Sequence, residues 1–275
     1  MKTKKIGLVG IYFPGAYDAL HENVPEGFEL VDALSPEAYG NLADCEYLIS
    51  RLDIDPDIIN HTPNVKFWQR WGAGFDHVDL KAWGERGIPI ATCPGVNSGI
   101  VAELAIMLML AGYRNLLQIN RQLRAGHWPR TEYFGRSFMI KGKTVGVLGL
   151  GHIGKKVAAL ASAFGANVIY YDIVRQPEQE EQFGYRFVDF DTLLKESDIF
   201  TIHCPLNEET RGMIGAAQFA KMKPTAMLIN TARGPIVDEA ALVDALTTGK
   251  IATAGLDTYE HEPLPKDHPL LTLDN

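Results

Sequence analysis

The sequence predicts an α/β protein built as two parallel-sheet units, and three observations lead there. Short apolar, β-branched runs recur at 6–12, 28–31, 47–50, 65–71 and 88–92 with helix-like stretches between them, the pattern of repeated strand–helix–strand units. A second series of the same kind follows at 144–148, 167–171, 199–203, 226–230 and 252–256, with helical spacers such as 155–164. Length and composition agree: 275 residues are enough for two ordinary domains, and 46% hydrophobic with 22% charged residues is the make-up of a chain that folds. The boundary between the two series is expected near 95–99, which gives domains of 1–98 and 99–275.

Taken in order, the basic start at 1–5 and the apolar run at 6–13 imitate a secretory signal, but Pro14 ends the run and no small-residue cleavage pattern follows. A first β-strand is the expectation. The stretch 101–117 is almost wholly apolar and of helix length, which implies a helix buried on most of its surface, at a domain junction or subunit contact. Its longest apolar run, 104–113, is far shorter than the roughly 18 residues a bilayer span requires, so no membrane segment is expected. From 120 to 143 the chain is polar yet carries Trp128, Tyr133, Phe134 and Phe138, and a connection of that length needs a partner to bury its aromatics; an arm packed on a second subunit is the favoured reading and an ordinary irregular connection the alternative.

Charge and cysteine usage exclude several functions. Lys and Arg number 26 against 34 Asp and Glu, a net charge of −8, and that field repels polyanions and argues against nucleic-acid or anionic-membrane partners. Cys45, Cys93 and Cys204 are spaced neither as metal ligands nor as a disulfide framework, so no metal site is expected and a reducing cytoplasm is the expected compartment.

The strongest local signal is the segment 144–154, in which a strand runs through Gly149, Gly151, His152, Ile153 and Gly154 into the helix that follows. In G-x-G-x-x-G the first glycine permits the tight turn, the second lets the backbone approach a pyrophosphate, and the third lets helix and strand pack closely, while the helix N-terminus offers N–H groups to the phosphates. The next strand ends in Asp172, 18 residues past Gly154, where a carboxylate can accept ribose hydroxyls and repel a 2′-phosphate. NAD is therefore favoured over NADP. Arg175 can either recruit a phosphate in a variant geometry or stand as a solvated surface arginine. His152 caps or solvates the turn and lies outside the catalytic set.

With these residues in hand, the sequence resembles the D-isomer-specific 2-hydroxyacid dehydrogenases, the family that includes phosphoglycerate, glyoxylate or hydroxypyruvate, D-lactate and formate dehydrogenases. The resemblance runs nearly end to end. It is carried by Gly72-Ala73-Gly74-Phe75-Asp76-His77-Val78-Asp79, Pro94-Gly95-Val96-Asn97-Ser98 with Val101-Ala102-Glu103, the glycine fingerprint, His203-Cys204-Pro205-Leu206, Asn230-Thr231-Ala232-Arg233-Gly234, and Gly255-Leu256-Asp257 followed by Glu262-Pro263. It implies two Rossmann-like, doubly wound domains with a cleft between them, the first flavodoxin-like, and a homodimer. The implied activity is hydride transfer between NAD(H) and a small D-2-hydroxy acid or 2-oxo acid. A dinucleotide-sensing regulatory relative without turnover is the alternative, and the presence of Arg233 and Glu262 favours the enzyme.

The resemblance also assigns roles. Arg233 corresponds to the catalytic arginine, whose guanidinium grips the carboxylate and keto oxygen of a 2-oxo acid. Glu262 corresponds to the carboxylate that raises the pKa of the catalytic histidine. Gly72, Ala73 and Gly74 resemble the segment whose N–H groups bind the substrate carboxylate, and Arg51 lies where relatives select the substrate side chain. Asp257 resembles the residue that holds the nicotinamide carboxamide and Val101 one that packs near the ring; His203, Cys204, Pro205, Thr231 and Ala232 border the cofactor. The family's Thr-Pro-His, whose histidine is the general acid and base, and its closing helix lie beyond the point that Asp274-Asn275 resembles, so these 275 residues alone are expected to bind cofactor with little turnover. His261 and His268 read as solvated loop histidines and not as substitutes.

Overall fold

The computed structural model describes residues 3–52, 54–76 and 78–275; Met1 of the basic start and His77 of the Gly72-to-Asp79 motif lie outside the described residues. Cα packing divides the chain between Asn97 and Ser98 into two units.

The first unit is a parallel sheet of β1 (Lys4–Gly10), β2 (Phe28–Ala33), β3 (Tyr47–Arg51), β4 (Phe67–Arg70) and β5 (Ile90–Ala91) in the order β2-β1-β3-β4-β5. Helices α1 (Pro14–Glu22) and α2 (Leu80–Glu85) and two 3₁₀ segments, Pro36–Asp44 and Pro56–His61, connect the strands. The five apolar runs read from the sequence are these five strands. The order reverses at β1, which puts a topological switch point between β1 and β3 at the carboxyl edge, where open α/β sheets bind ligands. The core is built from Val9, Leu42, Leu48, Ile58, Trp68 and Trp83. A polar side-chain pair sits inside it: the Trp68 indole N–H donates to Ser50 Oγ at 2.7 Å, with both residues buried.

The second unit is a six-stranded parallel sheet of β6 (Thr144–Leu148), β7 (Asn167–Tyr171), β8 (Arg186–Phe187), β9 (Ile199–Ile202), β10 (Met227–Asn230) and β11 (Thr253–Leu256), ordered β11-β10-β9-β6-β7-β8. Its helices are α3 (Ser98–Tyr113), α4 (Leu116–Arg124), α5 (His152–Ala163), α6 (Pro177–Phe183), α7 (Phe190–Glu196), α8 (Ala216–Phe219) and α9 (Glu239–Thr247). The strands β6, β7, β9, β10 and β11 fall where the apolar runs predict them, because buried parallel strands read as near-continuous apolar segments. The two-residue β8 carries no such signal. Two apolar layers cover the sheet, one holding Met109, Val147, Val157 and Ile229 and the other Phe200, Phe219, Leu228 and Leu242.

The apolar stretch 101–117 departs from its expectation. It is not one helix: the backbone turns at Asn115, whose φ of 49° is left-handed, a conformation asparagine tolerates better than most residues, and whose side chain bonds Arg136 O at 3.0 Å and Ser137 Oγ at 3.2 Å. Within this single chain the two helices bury only part of their surface, and the subunit contact that the composition calls for involves a second chain. α3 buries one face, Ala102, Ala105, Ile106, Met109 and Tyr113, while Ile100 and Met107 are exposed, and α4 buries no residue. Phe138 packs on Tyr113, but Trp128 and Phe134 stand exposed on the segment that follows.

The Trp68–Ser50 bond gives a test of the first unit. Ser50→Ala leaves a buried indole N–H without an acceptor, and chemical denaturation is expected to register a loss of about 1–3 kcal/mol; an unchanged midpoint would show that the bond contributes nothing.

Candidate functional site: the carboxyl edges of the two sheets

In the second unit the strand order reverses between β9 and β6, and the glycine turn sits at that point. Gly149 has φ +90°, and a Cβ there would lie 2.7 Å from Cys204 N, so the turn presses against the chain leaving β9. A Cβ on Gly154 would fall 2.0 Å from Gly149 O, which fixes the closeness of α5 to the turn. At Gly151 a Cβ would meet nothing within 4 Å. That glycine is therefore not required by packing inside the protein; it leaves an open cradle at the N-terminus of α5, whose first N–H groups and helix dipole suit a pyrophosphate. His152, the first residue of α5, is exposed, and Ile153 packs partly against the core.

Asp172, at the end of β7, binds the turn directly. Its Oδ2 accepts from Leu150 N at 2.7 Å and its Oδ1 from Val174 N at 3.1 Å, leaving further lone pairs on both oxygens for hydroxyl donors. Arg175 is exposed but not free: its Nε and Nη2 donate to the two Glu180 oxygens at 2.9 and 2.8 Å.

At the end of β9, His203 is half-buried with its Nδ1 shielded from solvent; its Nε2 pairs with Thr201 Oγ1 at 2.8 Å and its Nδ1 has no partner among the described residues. Burial pushes its pKa down to about 3, so it stands as a neutral wall residue and not as a proton donor. Burial likewise pushes the Cys204 thiol up to about 11, which fits packing and not nucleophilic chemistry. Pro205 O accepts from the Thr210 hydroxyl at 2.7 Å. Thr231 Oγ1, after β10, and Thr258 Oγ1, after β11, are also buried without a partner among the described residues. Three orphaned polar atoms at successive strand ends, beside an open glycine cradle, fit a site that a dinucleotide completes.

The turn carrying Arg233 is built by Asn230, whose side chain donates to Arg233 O at 2.9 Å and accepts from Ala232 N at 3.1 Å. Arg233 itself is extended and gives Nη1 to Ala232 O at 2.7 Å. Asp238 is committed elsewhere, capping α9 through Ala241 N. A Cβ on Gly234 would lie 1.9 Å from Tyr259 C, so the arginine turn rests on the segment that follows β11. In that segment Asp257 N donates to Asn230 O at 3.0 Å and Glu262 Oε1 accepts from Tyr259 N at 2.9 Å. Loss of hydration, and then the Glu262 charge, raise the Asp257 carboxyl above its ordinary range. Buried Glu239, unremarked in the sequence, ties the same segment down by accepting from Glu260 N and pairing with His268 Nε2 at 3.2 Å. His268 is therefore no solvated loop histidine; with Nδ1 accepting from Leu270 N, both its ring nitrogens are engaged. Its only sequence signal is a histidine before a proline at a helix start, which points to a cap.

The first unit has its own carboxyl edge. A Cβ on Gly10 would lie 2.1 Å from Arg51 O, so the loops after β1 and β3 touch at the switch point, and Arg51 donates to Ile11 O at 3.2 Å with its guanidinium 4.5 Å from the Phe13 ring. Gly72 is locked by its N–H to Arg70 O and its carbonyl from Cys93 N. The Ala73 and Gly74 N–H groups have no acceptor among the described residues. Arg70, which sequence reasoning passed over, is the support: 8% exposed, it donates Nε to Gly74 O at 2.5 Å and Nη1 to Leu52 O at 2.9 Å.

Within the second unit the structure gathers Gly149, Gly151, Gly154, Asp172, His203–Pro205, Thr231–Arg233 and Asp257 along one sheet edge, with Glu262 beside the arginine turn; Val101 lies in the first turn of α3, and Arg51 and Gly72–Gly74 belong to the first unit. This is a doubly wound α/β dinucleotide-binding unit joined to a second α/β unit. The chain belongs to the D-isomer-specific 2-hydroxyacid dehydrogenase family: residues 106–275 match the description "D-isomer specific 2-hydroxyacid dehydrogenase, NAD binding domain". It is 46% identical over 226 residues to a D-3-phosphoglycerate dehydrogenase of Archaeoglobus fulgidus, covering 82% of this chain and 42% of that protein. It is 43% identical over 244 residues to a glyoxylate reductase of Thermofilum pendens, covering 87% and 72% respectively. A Staphylococcus aureus NAD-dependent formate dehydrogenase in complex with NAD superposes with a TM-score of 0.85 at 30% identity, over 98% of this chain and 86% of that one. The cofactor is NAD.

His203 gives a pH test of this edge. In the unfolded chain it takes a proton near pH 6.5 but in the folded unit only near 3, so the unfolded state binds the extra proton between these values and stability falls as pH drops through that window. His203→Gln is expected to flatten the decline measured by thermal melting; parallel parent and variant curves would show that His203 is protonated in the folded state.

Proposed function

We propose that this chain carries out reversible oxidation–reduction between a small D-2-hydroxy acid and its 2-oxo acid, using NAD(H). The observation that carries the reading is the presentation of Arg233 on the same sheet edge as the glycine cradle, in a turn held by Asn230, Ala232 and the Tyr259 backbone. Bound NADH supplies the hydride. The residues that would hold it are Gly149–Gly154 at the pyrophosphate, Asp172 at the adenosine ribose, His203, Cys204, Pro205, Thr231 and Ala232 along the crevice, Asp257 at the carboxamide and Val101 near the ring.

Arg233 polarises the keto oxygen. A planar, permanently charged guanidinium can serve that oxygen and the substrate carboxylate together, each charge-assisted contact contributing about 1.5–3 kcal/mol. In the first unit, the Ala73 and Gly74 N–H groups, without an acceptor among the described residues, are the seat offered to a carboxylate, and Arg51 beside Phe13 sets what substituent is accepted. Glu262, in the segment packed on the Arg233 turn, is the carboxylate that supports the imidazolium of a general acid. Glyoxylate, hydroxypyruvate and pyruvate are the substrates to try first.

The exposed apolar side chains of α3, α4 and the following segment support a homodimer. Leu116, Leu117, Trp128 and Phe134 are 55%, 71%, 76% and 76% exposed, large apolar side chains of the kind a second copy would cover.

Two measurements test these readings. Arg233→Lys, assayed by NADH oxidation on the chain together with any natural sequence that continues it, is expected to lose about 10² to 10³-fold in turnover while NADH binding persists; unchanged kinetics would make Arg233 structural. Leu117→Glu is expected to shift the mass read by light scattering from dimer to monomer, and an unaltered dimer would move the interface elsewhere.

A further inference from the structure

The segment after β7 folds back over the glycine turn. Asp172 Oδ2 takes Leu150 N and Gln176 Nε2 gives to Leu150 O, both at 2.7 Å, so residues 172–176 embrace one residue of the turn and Arg175 lies within that embrace. Arg175 is also the one cation in the sequence from 172 to 185. An arginine just past the ribose-binding acid is the group that accommodates a 2′-phosphate. Here its side chain is turned away, onto α6.

What holds it there is well anchored. Glu180 receives Arg175 Nε and Nη2 as a two-pronged pair at 2.9 and 2.8 Å, and Glu180 Oε1 also accepts from the Tyr170 hydroxyl at 2.9 Å. Tyr170 is fully buried, and its oxygen is fixed in turn by Gln176 N at 2.8 Å. The Glu180 side chain is 19% exposed against 61% for Arg175, so the carboxylate is the fixed member of the pair and the guanidinium the captured one. Arg175 lies 5.7 Å from the Phe187 ring, a second contact on the same side. Single-pronged surface pairs contribute little, but a two-pronged arginine–carboxylate pair with a core-anchored acid is the favourable case.

We infer that Glu180 is a cofactor-specificity residue: by capturing Arg175 it withholds the guanidinium that would receive a 2′-phosphate, adding a second barrier to NADP beyond Asp172. A phosphate would have to displace one good anion partner with another, so the exchange gains almost nothing. With Glu180 absent, the same contact is a net gain. The inference rests on the assignment of the adenosine ribose to Asp172, and it concerns binding alone, so failure to reduce any 2-oxo acid would not bear on it.

The test is displacement titration of bound NADH by NADPH in the parent, Glu180→Met, Arg175→Met and the double variant. Glu180→Met is expected to tighten NADPH by about tenfold, one charge-assisted contact, with NADH affinity held within about twofold. Arg175→Met alone should leave NADPH binding as in the parent, and the double variant should cancel the gain. NADH affinity reports whether each variant is folded, and Glu180→Gln, which keeps the Tyr170 contact, serves if the methionine variant is not. NADPH binding no tighter in the folded Glu180 variant than in the parent, or a gain that survives removal of Arg175, would overturn the assignment.

Discussion

The close approach of backbone to backbone at the glycine turn is the constraint on which the cofactor edge depends. Gly149 rests on the chain leaving β9 and Gly154 on Gly149 O, distances at which no side chain fits. That contact decides how far the loops after β6 and β9 can separate, and it aims the N-terminus of α5 at the space between them. Asp172 is coupled to it through Leu150, whose N–H and C=O are bound by Asp172 and Gln176. The glycine cradle and the acid proposed for the ribose therefore belong to one assembly, and a disturbance of either glycine would displace that acid.

The arginine turn has an analogous dependence on residues that do no chemistry. Asn230 sets the backbone of Ala232 and Arg233, Gly234 lets Tyr259 approach, and Glu239 fastens the segment after β11 through Glu260 N and His268. In the first unit Arg70 does the same for Gly74 and Leu52. Buried charges are costly unless paired or fully hydrogen-bonded, so a buried acid or arginine that survives in such a place is held by several partners, and it rigidifies them in return. Each unit thus keeps its candidate binding groups on strand-end loops and stiffens those loops from behind with one buried ion.

Much of this was legible in the chain itself. Ten strands follow from apolar runs, because strands covered on both faces by helices have no polar side to interrupt them. The glycine fingerprint with Asp172 at its proper distance gave the dinucleotide site, since only glycine meets the steric demand at Gly149 and Gly154. The apolar stretch after the boundary differs from its reading in one respect: the helix does not continue through Asn115, where a left-handed residue breaks it. Its composition asks for more cover than α3 and α4 find among the described residues of this chain, because a subunit contact lies outside a single chain.

Sequence alone determined the fold class, the two series of strands and the cofactor, because strand periodicity and glycine spacing are local properties in which each residue speaks for itself. Tertiary structure decided which charges are free to act. Arg175, His268, Arg70 and Glu239 are ordinary polar residues in the sequence, separated from their partners by 5, 29, 4 to 18, and 21 to 29 positions. An ionisable group's role is set by what faces it at about 3 Å and how much water remains, and neither is written in its neighbours along the chain.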